Sequence, residues 1–273
     1  MLSLYRCAPV IAVCAALAGC ATNGFPEPDG RQAIIDRIVA ASAKIMLDQE
    51  GRRVASGSGV VIGANPDGQE GPASYILTTA HLFDGRQDVR IFVRFSGGEA
   101  SPARHPARLL QRNQGETADL AILEVSGVAV EPAFLADDGD VRLGAEIFAV
   151  GFPWGRRLGI FSGIVSQVPE DTREEPTASE GAREHTFTID AAASKGMSGG
   201  GVFLASTGRL LGIVEGYQTA SIAVKSQSQT YSVKVPMPGE TFVVPIDRIR
   251  RFLEEAGVAV AHPSSDDPHS RTK

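Results

Sequence analysis

Three short segments of this chain carry the residue types that nucleophilic acyl transfer needs. In Gly196-Met197-Ser198-Gly199-Gly200-Gly201-Val202 a serine stands between glycines. Glycine accepts backbone angles that other residues resist and lets the main chain approach a bound molecule. Successive amides in such a turn form a nest for an anion, and acyl transfer develops an oxyanion. Taken alone, the segment reads equally as a Gly-rich turn before a strand. In Tyr75-Ile76-Leu77-Thr78-Thr79-Ala80-His81 an apolar run ends in small residues and a histidine, whose ordinary pKa suits a general base. The other four histidines compete poorly: His105 and His185 sit in polar, loop-like contexts, and His262 and His269 lie close to the C-terminus. In Thr117-Ala118-Asp119-Leu120-Ala121-Ile122-Leu123 an aspartate precedes an apolar run. Such a carboxylate can orient an imidazole through Nδ1–H and stabilise its charged form, although an Asp closing a turn is the commoner role.

The elements that must hold these residues read mainly as strands. Strands are expected near 43–47, 53–62, 74–78, 89–95, 107–111 and 120–125, then near 146–150, 158–168, 186–189, 200–203, 210–215 and 241–244. Turns rich in Gly, Asn and Asp separate them, and many short strands of this kind indicate an all-β barrel or sandwich. Two helices flank the strands. Asp29 is expected to cap the first, over 31–41, with Ile34, Ile35, Ile38 and Val39 on one face. Pro245 opens the second, over 246–256, and Gly257 stops it. Two stretches read as long loops: the acidic 169–184, and 217–239, rich in Ser, Gln and Thr, with room for a small hairpin. No internal repeat is visible.

The order His81, Asp119, Ser198, each at a strand boundary, resembles the trypsin-like serine proteases of the chymotrypsin fold (peptidase S1), and most of all their HtrA type. Supporting segments follow in order. Ser56-Gly57-Ser58-Gly59-Val60-Val61-Ile62 looks like the glycine-rich strand before the histidine. Val150-Gly151-Phe152-Pro153-Trp154-Gly155 and Ser162-Gly163-Ile164-Val165-Ser166 look like the strand pair opening the second barrel. Ile189-Asp190-Ala191-Ala192-Ala193-Ser194-Lys195 leads toward the nucleophile, and Leu211-Gly212-Ile213-Val214 looks like the strand beside the substrate cleft. The resemblance covers about 43–257. It implies two six-stranded antiparallel β-barrels, about 43–135 and 136–245, with the site between them. It also implies a serine endopeptidase with Ser198 as nucleophile, His81 as base, Asp119 as its orienting partner, and the N–H groups of Gly196 and Ser198 as oxyanion hole. By position, Ala192, Ala193, Val214, Glu215 and Gly216 would line the substrate cleft. No Asp stands at the expected pocket base, so small or apolar residues rather than Lys or Arg are expected before the scissile bond. The sequence departs from the family at Met197, usually Asp or Asn, and at Gly201, usually Pro. No PDZ domain is expected after the protease domain.

The first residues form a separate module. Arg6 gives a positive start, 10–17 an apolar core too short to span a bilayer, and Leu17-Ala18-Gly19-Cys20 resembles the lipobox of bacterial lipoproteins. The expected organisation is a signal peptide over 1–19, a lipidated Cys20 with a tether over 20–30, the protease domain over 31–257, and a disordered tail over 258–273. With Ala rather than Asp at position 21, an outer-membrane anchor facing the periplasm is expected. Cys7 and Cys14 would leave with the signal, so no disulfide and no Cys-based metal site is expected, and no cofactor. A net charge of −6 argues against nucleic acid as a partner. The partners expected are protein or peptide substrates and the membrane. Gly196-Met197-Ser198-Gly199-Gly200 also fits the G-x-S-x-G elbow of α/β-hydrolases. That fold needs an acid and then a histidine after the serine, and the only later histidines, His262 and His269, lie in the tail; the alternating helices and strands it needs are also lacking. The alternative function is a latent or inactive protease-fold binding module or scaffold at the membrane.

Overall fold

The computed structural model describes residues 28–66, 71–97, 103–113, 118–169, 186–226 and 229–258. The expected signal peptide and Cys20, most of the 169–184 loop, and the tail from 259 lie outside the described residues.

Helix α1 spans Pro28–Ala40, so it starts inside the expected tether, and Asp29 sits within its first turn rather than before it. Proline suits a helix start because its missing N–H would have no helical partner there. Ile34 and Ile38 are buried on one face, and Ser42 Oγ donates to the Ile38 carbonyl at 2.7 Å where the helix ends.

The first barrel consists of β1 (Ser42–Gln49), β2 (Arg52–Asn65), β3 (Ala73–Thr78), β4 (Arg90–Phe95), β5 (His105–Asn113) and β6 (Leu120–Ser126). The second consists of β7 (Glu146–Gly151), β8 (Gly159–Gln167), β9 (Phe187–Ile189), β10 (Gly201–Leu204), β11 (Leu210–Ser226) and β12 (Gln229–Pro245). All strand pairs within both are antiparallel. The first closes in the order β1-β2-β3-β6-β5-β4, and the second repeats that order as β7-β8-β9-β12-β11-β10. Closure leaves no unpaired edge. Helix α2 (Ile246–Glu255) follows directly from β12.

Each barrel has its own apolar interior. A further core lies between them, built from Val60, Leu77 and Ile122 on one side and Val150, Phe203 and Val244 on the other, with Ile34 of α1 and Phe252 of α2 buried in it. This shared core fixes the barrels against each other, and burial of such side chains contributes about 1.5–3 kcal/mol each.

One of the expected loops is instead a pair of strands. From Thr219↔Pro236 to Ser226↔Gln229, β11 and β12 pair continuously, so both strands are 17 residues long and project as an arm. The reason is a period-two pattern, clearest in Tyr231-Ser232-Val233-Lys234-Val235. Its Ser, Gln and Thr content hides the strand character.

Candidate active site

His81 sits in a short 3₁₀ turn, Ala80–Phe83, immediately after β3, and Leu82 and Phe83 bury that turn in the first barrel. Asp119 precedes β6, the neighbour of β3 in the sheet. Adjacency brings the two side chains together. Asp119 Oδ1 accepts the His81 backbone N–H at 2.8 Å, and Oδ2 bonds the His81 ring at Nδ1. One carboxylate thus fixes both the main chain and the imidazole, leaving Nε2 for chemistry. The ring is 44% exposed, Asp119 only 21%. The hydrogen bond that His81 donates to Asp119 holds the His81 pKa above the ordinary histidine value, against burial, and the charges of Asp119, Glu215 and Asp84 add to it.

Ser198 comes from the second barrel, in the turn before β10. That turn is tied down almost atom by atom. The Lys195 carbonyl accepts the Trp154 N–H at 2.6 Å, the Gly196 carbonyl accepts Ser58 Oγ at 2.7 Å, and the Ser198 carbonyl accepts the Ser58 N–H at 2.9 Å. Met197 N–H goes to the Ser194 carbonyl at 2.9 Å, and Gly199 N–H to the Val214 carbonyl at 2.8 Å. Among the described residues, the N–H groups of Gly196 and Ser198 are taken by no acceptor. These carbonyls around Ser198 are therefore occupied elsewhere, while two amides of the turn stay available, which is what an anion nest requires.

Glycine is required here on two counts. Gly196 and Gly199 have φ of +94° and +83°. A Cβ on Gly196 would lie 2.6 Å from the Phe152 carbonyl oxygen, and one on Gly199 would overlap Ser58 O and Thr78 Oγ1. Met197, where the family resemblance leads one to expect Asp or Asn, is 1% exposed and packs in the second barrel's core against Gly151. It anchors the turn by apolar contact, with no charge to satisfy.

His81, Gly196 and Ser198 line one cleft of about 560 Å³ between the barrels. Trp154, Lys195 and Tyr217 share its wall. Of the residues expected to line it, Val214 instead lies fully buried in the second core, with its N–H and C=O bonded to Gly200 and Gly199. It supports the Ser198 turn from behind. Ala192, Ala193, Glu215 and Gly216 are not among the residues that line the cleft either: Ala192 is exposed, the other three are half-buried, and a Cβ on Gly216 would meet open space.

Sequence reasoning misses two positioning residues. Ser58 is 1% exposed, and its Oγ accepts the Phe152 N–H at 2.9 Å while donating to the Gly196 carbonyl. Lys44 stands opposite Ser58 in the β1–β2 register and is 9% exposed. Its Nζ donates to the carbonyls of Gly155 and Arg156. Burial lowers its pKa first, and the neighbouring Arg94 and Arg53 lower it further. Together they clamp the turn Pro153–Gly155, where Trp154 is held at φ 56°, ψ 19°. A non-glycine residue in that region is strained, and such strain gathers at functional sites. The available signals are a lysine inside an apolar strand and a serine flanked by glycines.

The trypsin-like peptidase domain model matches residues 57–213, which include His81, Asp119 and Ser198. The serine protease PepD of Mycobacterium tuberculosis is 26% identical over 254 residues, covering 88% of this chain and 50% of that protein. The serine protease Do-like HtrA of Bacillus subtilis is 30% identical over 161 residues, covering 58% of this chain and 32% of that protein. The chain thus spans half or less of these relatives. The serine endoprotease from Yersinia pestis superposes with a TM-score of 0.59 at 19% identity, over 85% of this chain and 68% of that one, a likeness of fold. With the double barrel, the interbarrel cleft and the matched segment in agreement, the chain belongs to the trypsin-like peptidase domain family.

Proposed function

We propose that this chain is a serine endopeptidase of the bacterial envelope, acting through His81, Asp119 and Ser198. The observation that carries the reading is the two-point Asp119–His81 contact facing the same cleft as Ser198, beside two amides with no acceptor among the described residues. Ser198 Oγ attacks the scissile carbonyl carbon while His81 Nε2 takes its proton. The carbonyl oxygen becomes an oxyanion, met by the N–H groups of Gly196 and Ser198. The C–N bond breaks as His81 returns the proton to the leaving amine. Water, activated by His81, then hydrolyses the acyl ester and frees Ser198. Asp119 keeps Nδ1 protonated and steadies the imidazolium throughout.

The same reading includes a signal peptide over 1–19, lipidation at Cys20 and a periplasm-facing anchor, supported by Leu17-Ala18-Gly19-Cys20. Two acyl chains are enough for stable anchoring. The test is digestion of unfolded casein by the full-length protein. Wild type is expected to cleave, Ser198→Ala to lose on the order of 10⁶-fold in rate, and Cys20→Ser to move activity to the soluble fraction. Equal digestion by wild type and Ser198→Ala would refute the assignment.

A further inference from the structure

The cleft carries an uneven distribution of charge. Arg53, Arg86 and Lys195 all line it, and among the described residues no carboxylate does. This is unexpected for a chain of net charge −6. The partners of these cations leave the charge largely uncancelled. Arg53 Nε bonds Asp48 Oδ1 at 2.5 Å, yet Asp48 is shared with Arg104, so one carboxylate faces two guanidinium groups. Among the described residues the Arg86 Nη1 donates to two backbone carbonyls, those of Leu82 at 3.1 Å and Asp84 at 3.0 Å, and to no carboxylate. Lys195 is exposed, and among the described residues its ammonium has no partner. Of the nearby carboxylates, Asp119 bonds His81, and Asp84, 3.9 Å from Arg112, also adds negative charge at His81. Glu215 adds negative charge at His81, from the strand on the opposite wall. Behind the cleft, buried Lys44 adds a further positive charge, itself pressed by Arg53.

The position of these charges along the substrate follows from the chemistry. The leaving amine takes its proton from His81, so the chain beyond the scissile nitrogen lies against the turn that carries His81. Leu82 and Arg86 belong to that side. So does the start of β2, because a Cβ on Gly57 would lie 3.1 Å from Leu82 and 3.3 Å from the Ser198 carbonyl. Arg53 precedes Gly57 on the same strand. Lys195 adjoins the nucleophile turn itself.

We infer that the cleft selects polypeptides with carboxylate side chains in the first few residues after the scissile bond, read by Arg53, Arg86 and Lys195. This rests on the endopeptidase reading above and names its substrate class. The attraction is between exposed groups, so it acts on capture and register and weakens with salt.

The experiment takes one unstructured casein segment, centred on a junction that the full-length protein cleaves or, if it cleaves none, on a peptide bond that follows a small apolar residue, and synthesises it with Glu, Gln or Lys at the second and third residues after that bond. The expected kcat/KM order is Glu, Gln, Lys, with roughly tenfold between Glu and Gln in low salt and a much smaller gap in about 0.5 M NaCl. Lys195→Gln, which has no partner to lose, is expected to cut the Glu preference about threefold, and Lys195→Gln with Arg86→Gln to abolish most of it. Equal rates for the three peptides, or a preference for Lys, would overturn the inference. Fluorescent versions of the peptides are also bound to Ser198→Ala. If no peptide is cleaved but the Glu form binds about tenfold tighter than the Gln form, the selectivity stands and the hydrolytic reading falls. If binding is equal as well, both fall.

Discussion

The nucleophile turn and the β11–β12 arm both emerge from the second barrel, and they are built on opposite terms. In the turn, carbonyls of Lys195, Gly196 and Ser198 each have a named donor, and two glycines have no room for a methyl group. In the arm, Ile222, Tyr231 and Val233 are 50%, 53% and 47% exposed, and the two strands hold each other. A two-stranded ribbon is marginal by itself in water. The contrast shows where this fold concentrates constraint. The first barrel reaches across through Ser58 and Lys44 to fix the turns beside Ser198 of the second barrel, while the arm stands away from the core.

That contrast can be broken most sharply at Gly199. Gly199→Ala adds a methyl where φ is +83° and where Ser58 O and Thr78 Oγ1 already stand. Left-handed backbone costs about 1–2 kcal/mol before any overlap. The expected result is loss of activity by more than about 10³-fold, comparable to loss of an oxyanion donor, together with a lower Tm. A variant with wild-type activity and melting would mean the turn is not constrained as described.

Next in size is Asp119→Asn, expected to lower kcat on the order of 10⁴-fold while the protein stays folded. The sign of its pH effect is also fixed. His81 acts as a base only when neutral, and Asp119 is the main cause of its raised pKa. Activity of the wild type should therefore fall, as pH drops, through a midpoint above the ordinary histidine value. In Asp119→Asn the residual activity should persist to lower pH. A midpoint that does not move would separate His81 from Asp119.

Lys44→Met sharpens the comparison by testing one strut from the first barrel. It keeps the side chain as far as Cε and removes the Nζ donor to Gly155 and Arg156. The expected loss is roughly tenfold in kcat with KM nearly unchanged, since the turn whose Trp154 N–H holds the Lys195 carbonyl is loosened while Lys44 itself touches no substrate. Recovery is expected in Lys44→Arg to the extent that the longer fork still reaches the two carbonyls. Equal losses in kcat and affinity would point to general damage.

The smallest effects belong to the arm. Ile222→Thr and Val233→Thr, tested separately, should each change stability by less than about 0.5 kcal/mol, because exposed positions away from special features rarely do more. A loss of about 2 kcal/mol, read from urea midpoints, would mean that the arm is packed against something.

Much of the fold is legible because alternating apolar residues, turn glycines and the two helical faces are local signals. The strand starts at 120 and 146 agree with β6 and β7, and the two-barrel fold class agrees with the closed sheets. The arm is legible only as room for a small hairpin, and its full 17-residue strands are not, since small polar residues spread across both strands and no core face orders them. The three site segments can be found because glycine, histidine and aspartate mark chemistry by type. Their struts cannot. Ser58 and Lys44 act across the barrel interface, and nothing in β1 or β2 alone says that turns far along the chain meet them. The cationic wall is hidden for the same reason: Arg53, Arg86 and Lys195 come from distant stretches and converge only in three dimensions.

The most direct test of the central claim is reaction of the folded, full-length protein with a fluorophosphonate, followed by mass spectrometry of the modified peptide. The predicted result is a single adduct on Ser198, absent from Ser198→Ala and strongly slowed in His81→Ala. No adduct on a folded wild-type protein, or one formed equally fast without His81, would contradict an activated serine. It would leave the chain as a protease fold put to another use.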